Sequence, residues 1–156
     1  KILYKKTVMQ NDENTNALFI HLSAFLGYFF PLGSIIAPLI LWQLFKSDSP
    51  FLNQHGKQAV NFNLSFTLYL FIATVVFLLF LFGFFFGSFI NIYNETDFNF
   101  NENYAYYGIF SVIGLVIGGF SMTAILLSRI VLIIIACVKA NKGEEYHYPF
   151  TINFLK

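Results

Sequence analysis

Residues 59–90 read AVNFNLSFTLYLFIATVVFLLFLFGFFFGSFI, and this stretch contains no Asp, Glu, Lys or Arg. Two further apolar tracts cover residues 17–45 and 105–138. Each of the three tracts is longer than the roughly 20 residues that a helix needs to cross about 30 Å of hydrocarbon. The sequence therefore predicts a helical protein that lies in a membrane.

The composition of the whole chain excludes most soluble classes of protein. Of its 156 residues, 57% are hydrophobic and 11% are charged, whereas soluble domains carry roughly 25% charged residues. The net charge of +1 comes without a dense basic face, which argues against a nucleic-acid partner. Because the chain has a single cysteine, Cys137, and no zinc-like spacing of His and Cys, we expect no internal disulfide, no metal and no cofactor.

The first apolar tract is interrupted. Pro31 and Gly33 divide it, and Pro38 follows inside its second half. A proline removes a backbone donor and its ring clashes with the carbonyl one turn earlier. We therefore predict two short helices, at about 14–30 and 33–46, that form a tight hairpin or a re-entrant V.

Two long helices complete the predicted membrane domain, which covers residues 17–138. They extend over about 51–90 and 105–139, and the loop 91–104 joins them. The predicted fold is therefore all-α. It is a polytopic membrane protein with about four transmembrane helices, of which the first pair is short and broken.

The charges of the loops predict the orientation of the chain. Loop 91–104 carries acidic residues but no Lys or Arg, whereas Lys46 and Lys57 flank the preceding loop. Because basic residues are retained on the cytoplasmic side, we expect this loop outside, and the N-terminal segment 1–16 and the C-terminal tail 139–156 in the cytoplasm. We place the protein in a bacterial inner membrane. We expect no cleaved signal peptide, because the N-terminal segment lacks an apolar middle and a small-residue cleavage site.

A polar stripe lies at the start of the predicted third helix. Gln54, Gln58, Asn61 and Ser65 are spaced by four, three and four residues, which places them on one helix face. One interpretation is hydrogen bonding between helices, at about 0.6 to 2 kcal/mol for each bond. The other is a wet groove on the cytoplasmic side that receives a polar segment of a partner or substrate chain.

Arg129 is predicted to lie near the middle of the membrane, because it precedes Lys139 by about 15 Å of helix. Placing an arginine there costs about 2.5 to 3.5 kcal/mol. Its side chain either extends to the interface or marks a functional or partner-binding position. Candidate acceptors are the carbonyls before Pro31, the amides of Gln58 and Asn61, and a carboxylate from a partner.

Two histidines were considered as catalytic groups. His21 lies in the first predicted helix and His55 in the polar stretch 46–58 where the third helix starts, and a lone histidine in either place is usually structural. No nucleophile motif, phosphate-binding loop or metal-binding helix accompanies them in the sequence. We therefore expect a protein that is not an enzyme and takes no small-molecule substrate.

Four glycines form two pairs with the spacing that permits close packing of membrane helices. Gly83 and Gly87 lie near the outer end of the third helix, and Gly114 and Gly118 near the outer start of the fourth. We expect them to let these two helices pack as an antiparallel hairpin. The alternative is a seam between two copies of the chain.

Three segments of the chain resemble a known group of proteins. They read HLSAFLGYFFPLGSIIAPLILWQLFKSDSPF (21–51), NQHGKQAVNFNLSFTLY (53–69) and VKANKGEEYHYPFTINFLK (138–156). The residues that carry the resemblance are His21, Pro31, Leu32, Gly33, Pro38, Trp42, Ser49, Pro50, His55, Gly56, Lys57, Asn61, Phe62, Lys139, Ala140, Asn141, Gly143, Tyr148 and Pro149.

Together these segments resemble the small bacterial membrane proteins related to the Tic-twenty-type subunit of the chloroplast inner-envelope import machinery. The resemblance implies four transmembrane helices with cytoplasmic termini. It also implies kinship with a component of protein translocation.

Two functional hypotheses follow. In the first, the chain is a non-enzymatic subunit or accessory of a protein translocation or membrane-insertion assembly, with the polar stripe offered to a passing segment. In the second, it is a scaffold or stabilising subunit of another membrane complex, with Arg129 and the glycine pairs as docking features. The expected partners are the lipid bilayer and other membrane proteins, including a translocon under the first hypothesis.

Overall fold

The computed structural model of the protein describes residues 2–47, 49–93 and 102–155. Within these ranges the regular structure is helical. The elements are α1 (Ile2–Leu22), a 3₁₀ helix (Ser23–Tyr28), α2 (Gly33–Phe45), α3 (Pro50–Tyr93) and α4 (Glu102–Asn141). The predicted all-α class is confirmed, and α3 and α4 are long and apolar enough to cross a membrane.

The first helix differs from its predicted bounds of about 14–30. It begins at Ile2, because the polar residues before Asn14 include no proline or glycine and so do not stop a helix. It ends at Leu22, where the chain tightens into the 3₁₀ helix that leads to the break. The polar N-terminal segment is thus a helical extension of the first apolar tract.

The break between α1 and α2 lies where the sequence predicts it. Leu32 has a left-handed backbone (φ 61°), and α2 begins at the next residue, Gly33. A Cβ atom built on Gly33 would lie 2.6 Å from the carbonyl oxygen of Leu26, so only a glycine fits this close approach. Pro38 is buried within α2, and the helix continues through it to Phe45. At 13 residues, or about 20 Å, α2 is shorter than a hydrocarbon core.

Local signals set the start of α3. Leu52 donates its backbone N–H to the Ser49 hydroxyl (3.2 Å), and Pro50 occupies the first helical position. A serine before the helix and a proline in its first turn favour a helix start. Ser49 and Pro50 thus mark the start of α3.

Local signals also set the end of α4. Gly143 has a φ of 74°, and the Glu144 backbone N–H returns to the Lys139 carbonyl. A glycine in the left-handed conformation closes a helix in this way. It turns the chain into the segment that follows α4.

The chain divides into two compact units, residues 1–67 with 128–156 and residues 68–127. The first unit has a core in which small side chains bring three helices together. Ala17 and Ile20 of α1 meet Leu52 and Ala59 of α3 and Ala140 of α4. Small residues allow helix backbones to approach closely, which membrane helices use in place of a hydrophobic driving force.

Within the first unit α2 also packs against α3. The Trp42 indole N–H donates to the Asn53 side-chain oxygen at 2.9 Å. The Trp42 side chain covers Gly56 so closely that a Cβ atom there would overlap the indole. Gly56 therefore serves this contact rather than a turn.

The second unit contains the C-terminal part of α3 and the N-terminal part of α4. Its large apolar side chains, including Phe71, Leu79 and Phe82 of α3 and Phe110 and Phe120 of α4, are mostly exposed. Such a surface is unfavourable in water and suits lipid. The predicted loop 91–104 falls largely on residues 94–101, which lie outside the described residues, and α3 extends to Tyr93 while α4 begins at Glu102.

Candidate functional site

The polar stripe of α3 binds the chain's own C-terminal segment. From here on the name tail is used for residues 144–155 only, which follow α4 and have no helical structure. The Asn61 side chain donates to the Leu155 carbonyl at 3.0 Å and accepts the Leu155 backbone N–H at 2.9 Å. Ser65 accepts the backbone N–H of Ile152 at 2.8 Å and donates to the Asn61 carbonyl. Two side chains of the stripe, Asn61 and Ser65, therefore hydrogen-bond to the backbone of the tail.

The N-terminal end of the stripe also meets the tail. The Gln54 amide donates to the Glu145 carboxylate at 3.1 Å and lies 3.4 Å from Nε2 of His147. Beside it opens a groove of about 540 Å³. The residues that line this groove are Pro50, Asn53, Gln54, Lys57, Gln58, Asn61, His147, Asn153 and Leu155. Gln58 and Lys57 thus face an open, polar cleft between α3 and the tail.

Two histidines and a tyrosine form a buried hydrogen-bonded chain. The Tyr148 hydroxyl lies 2.9 Å from Nδ1 of His21, and Nε2 of His21 lies 2.8 Å from Nδ1 of His55. Phe62 stacks on Tyr148 with ring centroids 3.9 Å apart. Burial raises the pKa of the Tyr148 phenol well above its ordinary value. These hydrogen bonds join α1, α3 and the tail.

The contact between the two histidines is not predictable from the sequence pattern. His21 and His55 are 34 residues apart, and each is isolated in its own segment. No local spacing could reveal the contact, because it depends on how α1 packs against α3. Within the described residues no three His, Cys, Asp or Glu side chains come close enough together to hold a metal ion.

Arg129 finds its acceptor inside the protein. Its guanidinium donates to the Asn63 side-chain oxygen at 2.8 Å, and both side chains are buried. Asn63 in turn donates to the Ala59 carbonyl. The acceptor is therefore none of the candidates that the sequence offered. Two buried nitrogens, Nε of Arg129 and Nε2 of His55, have no hydrogen-bond partner among the described residues.

The remaining residues singled out in the first unit serve its hairpin and helix ends. Pro31 lies at the break before α2, and Gly33 and Pro38 are buried in α2. Asn141 is the last residue of α4, close to the Asn14 amide that lies against Gly143. Pro149 follows Tyr148 at the turn of the tail.

The glycines of the second unit lie differently from one another. A Cβ atom on Gly114 would overlap the ring of Phe80, and one on Gly118 would lie 3.0 Å from Phe77. One on Gly83 would lie 3.5 Å from the Ser111 hydroxyl, whereas Gly87 has nothing within 4 Å. Within this unit Gly114 and Gly118 therefore receive aromatic rings of α3.

These observations define the class of the protein. It is a helical protein with two long helices that are apolar enough to cross a membrane and with polar side chains that bind its own tail. The model of the MamF/MmsF family, the magnetosome magnetite crystal formation protein family, matches residues 12–155. The chain therefore belongs to that family. No curated protein and no solved structure matches the chain.

The family match corrects two predictions. The assignment to a Tic-twenty-type import group is wrong, and so is the main functional hypothesis of protein translocation or insertion. The structure gives a physical reason for the error. Several of the residues that carry the resemblance lie at the helix break, at the Ser49 and Gly143 helix ends and in the contacts around His21, so the resemblance reflects packing.

Proposed function

We propose that the protein is a non-enzymatic integral membrane protein that serves magnetite crystal formation as a scaffold or stabilising subunit in the magnetosome membrane. The observation that carries this proposal is the family match, which extends over all the described helices from residue 12 onward and over the tail. This was the second of the two sequence-based hypotheses. It needs no substrate-binding site and no cofactor.

The use of the polar groups supports a structural role. Asn61 and Ser65 bind the tail, His21 binds His55 and Tyr148, and Arg129 binds Asn63. Each of these contacts joins two segments of the first unit. These side chains are used in internal hydrogen bonds, and satisfied networks of this kind make a fold rigid, as a structural role requires.

The exposed apolar faces support partners in the membrane. Outward-facing Phe, Leu, Ile and Val side chains occupy α3 and α4 along much of the second unit. These faces contact lipid and other membrane proteins. Arg129 is not one of the docking features in this proposal, because its guanidinium is buried on Asn63.

The proposed topology is multi-pass, with both termini in the cytoplasm. Residues 1–67 and 128–156 belong to one compact unit, which supports placing the two termini on one side. Lys46, Lys57 and Lys139 lie in that unit, and basic residues favour the cytoplasmic face. In this arrangement α3 and α4 cross the bilayer, and α1 and α2 enter it as a re-entrant V.

Purification from native magnetosome membranes in a mild detergent tests the scaffold role. We expect the tagged full-length protein to bring down at least one other membrane protein in a fixed ratio. Isolation of the protein as a monodisperse monomer, from membranes in which magnetite is forming, would contradict the proposal. A tagged, unrelated multi-pass protein from the same membranes is the control for unspecific capture.

A further inference from the structure

The tail carries large apolar side chains on its outside. Phe150, Ile152 and Phe154 are 81%, 41% and 49% exposed, although the backbone around them is bound to α3. Three large apolar side chains exposed together on one short segment are unfavourable in water and suit an apolar environment. The tail binds α3 through its backbone and presents apolar groups to its surroundings.

The hydrogen bonds of the tail give its depth. The Ile152 backbone N–H binds Ser65, which follows Asn63, the last amide before residues 64–90; that stretch contains no charged, amide or imidazole side chain. Gln54, which meets Glu145, lies 11 residues earlier on α3, or about 16 Å along the helix axis. From Glu145 to Ile152 the tail therefore descends along α3 to the border of its apolar run.

Part of the tail backbone near its C-terminal end is hydrogen-bonded to protein groups. Non-helical chain within the hydrocarbon of a bilayer must have its N–H and C=O groups satisfied by protein, so such bonds allow a segment to approach the hydrocarbon. Ser65 and Asn61 accept the N–H groups of Ile152 and Leu155, and the Phe154 N–H binds the Ile152 carbonyl at 3.0 Å. Asn61 also donates to the Leu155 carbonyl.

We propose that the tail from Phe150 to Phe154 lies in the interfacial layer of the bilayer, with the Ile152 and Phe154 side chains in contact with lipid. Asn61 and Ser65 make this possible by replacing the water that the tail backbone would otherwise need. The occupant of this apolar surface is lipid, because the surface lies at the level where the apolar run of α3 begins. The inference concerns the membrane position of the tail and does not depend on the role in magnetite formation.

Site-directed fluorescence in vesicles tests this position. The full-length Cys137→Ala protein carries one new cysteine, Phe154→Cys, labelled with an environment-sensitive fluorophore and reconstituted into phospholipid vesicles. Glu144→Cys is the matched control, because its side chain lies on the same tail beside Lys139 and is exposed. Nitroxide on lipid headgroups and shallow acyl positions quenches labels in the interface, and iodide quenches labels in water.

We expect lipid-borne nitroxide to quench the label at position 154 at least about threefold more than the label at position 144, with the reverse order for iodide. Equal iodide quenching at both positions would overturn the proposal. Protection of position 154 from both quenchers would also overturn it, since another protein surface would then cover the tail. If Phe154→Cys does not fold, Ile152→Cys carries the same test with the same outcomes.

Discussion

Asn61 holds the backbone of Leu155 with both ends of its side-chain amide, at 3.0 and 2.9 Å, across 94 residues of sequence. These are the two hydrogen bonds that a neighbouring β-strand would make to the same residue. The Asn61 side chain on α3 thus pairs with the Leu155 backbone as the edge of a β-strand would. The contact explains how a tail without helix or strand structure remains on the surface of α3.

Asn61→Ala should release the end of the tail. It removes two hydrogen bonds, each contributing about 0.5 to 1.5 kcal/mol. We expect faster cleavage of the tail in limited proteolysis, with α3 and α4 intact. Gln58→Ala is the control, because Gln58 lines the adjacent groove without a hydrogen bond among the described residues. Equal protection of the tail in both variants would contradict the Asn61 contact.

Gly114→Ala should destabilise the second unit, because the added methyl overlaps the ring of Phe80. Overpacking of this kind costs about 1 to 3 kcal/mol. Gly119→Ala is the matched control on the same helix, since it has nothing within 4 Å. It should be neutral or stabilising by up to about 1 kcal/mol. Thermal unfolding in detergent, followed by circular dichroism, compares the two variants, and equal melting temperatures would count against the packing.

The Arg129 and Asn63 pair should show energetic coupling. We expect Arg129→Leu and Asn63→Leu each to destabilise the protein, and the double variant to lose less than the sum. Hydrogen bonds to charged groups contribute about 1.5 to 3 kcal/mol, and bonds between membrane helices average less. A double-mutant cycle of unfolding free energies in detergent measures the coupling. Strict additivity would show that the two side chains do not interact in the folded protein.

Tyr148→Phe should make the protein more resistant to alkali. Burial raises the folded-state pKa of Tyr148, so the folded chain keeps its proton to higher pH than the unfolded chain. Stability from this group is therefore complete below the unfolded pKa of about 10 and falls as the pH rises above it. The stability of the Tyr148→Phe variant should therefore fall less steeply at alkaline pH. At neutral pH the variant also lacks the hydrogen bond to His21.

Unfolding midpoints between pH 9 and 12 measure the alkaline effect. Tyr146→Phe serves as the comparison, because Tyr146 is less buried and should change the profile less. If Tyr148→Phe leaves the alkaline profile unchanged, Tyr148 ionises in the folded protein, and its burial is not as described.

Local features of the sequence predicted much of the fold. Runs of apolar residues predicted α3 and α4. Pro31 with Gly33 predicted the break between α1 and α2, because the donor that a proline lacks and the close approach that a glycine permits have their effect at the residue itself. The start of α1 at Ile2 was not predicted. The polar N-terminal residues carry neither an apolar period nor a breaker, so the sequence pattern does not distinguish helix from loop there.

The sequence predicted which residues form the candidate site but not what they bind. The spacing of Gln54, Gln58, Asn61 and Ser65 predicted a polar face, but its occupant comes from the far end of the chain. The contact of His21 with His55 is likewise non-local. The function was mispredicted because residues such as Pro31 and Gly143 encode a packing arrangement, and a fold does not determine an activity.

The size and number of magnetite crystals in cells that lack this protein test the central claim most directly. Electron microscopy should show altered crystals in the deletion strain, and re-expression of the wild-type chain should restore them. Since the role proposed is structural, variants such as Gly114→Ala that weaken packing should restore them less well than Gly119→Ala. Crystals of unchanged size and number in the deletion strain would contradict the account.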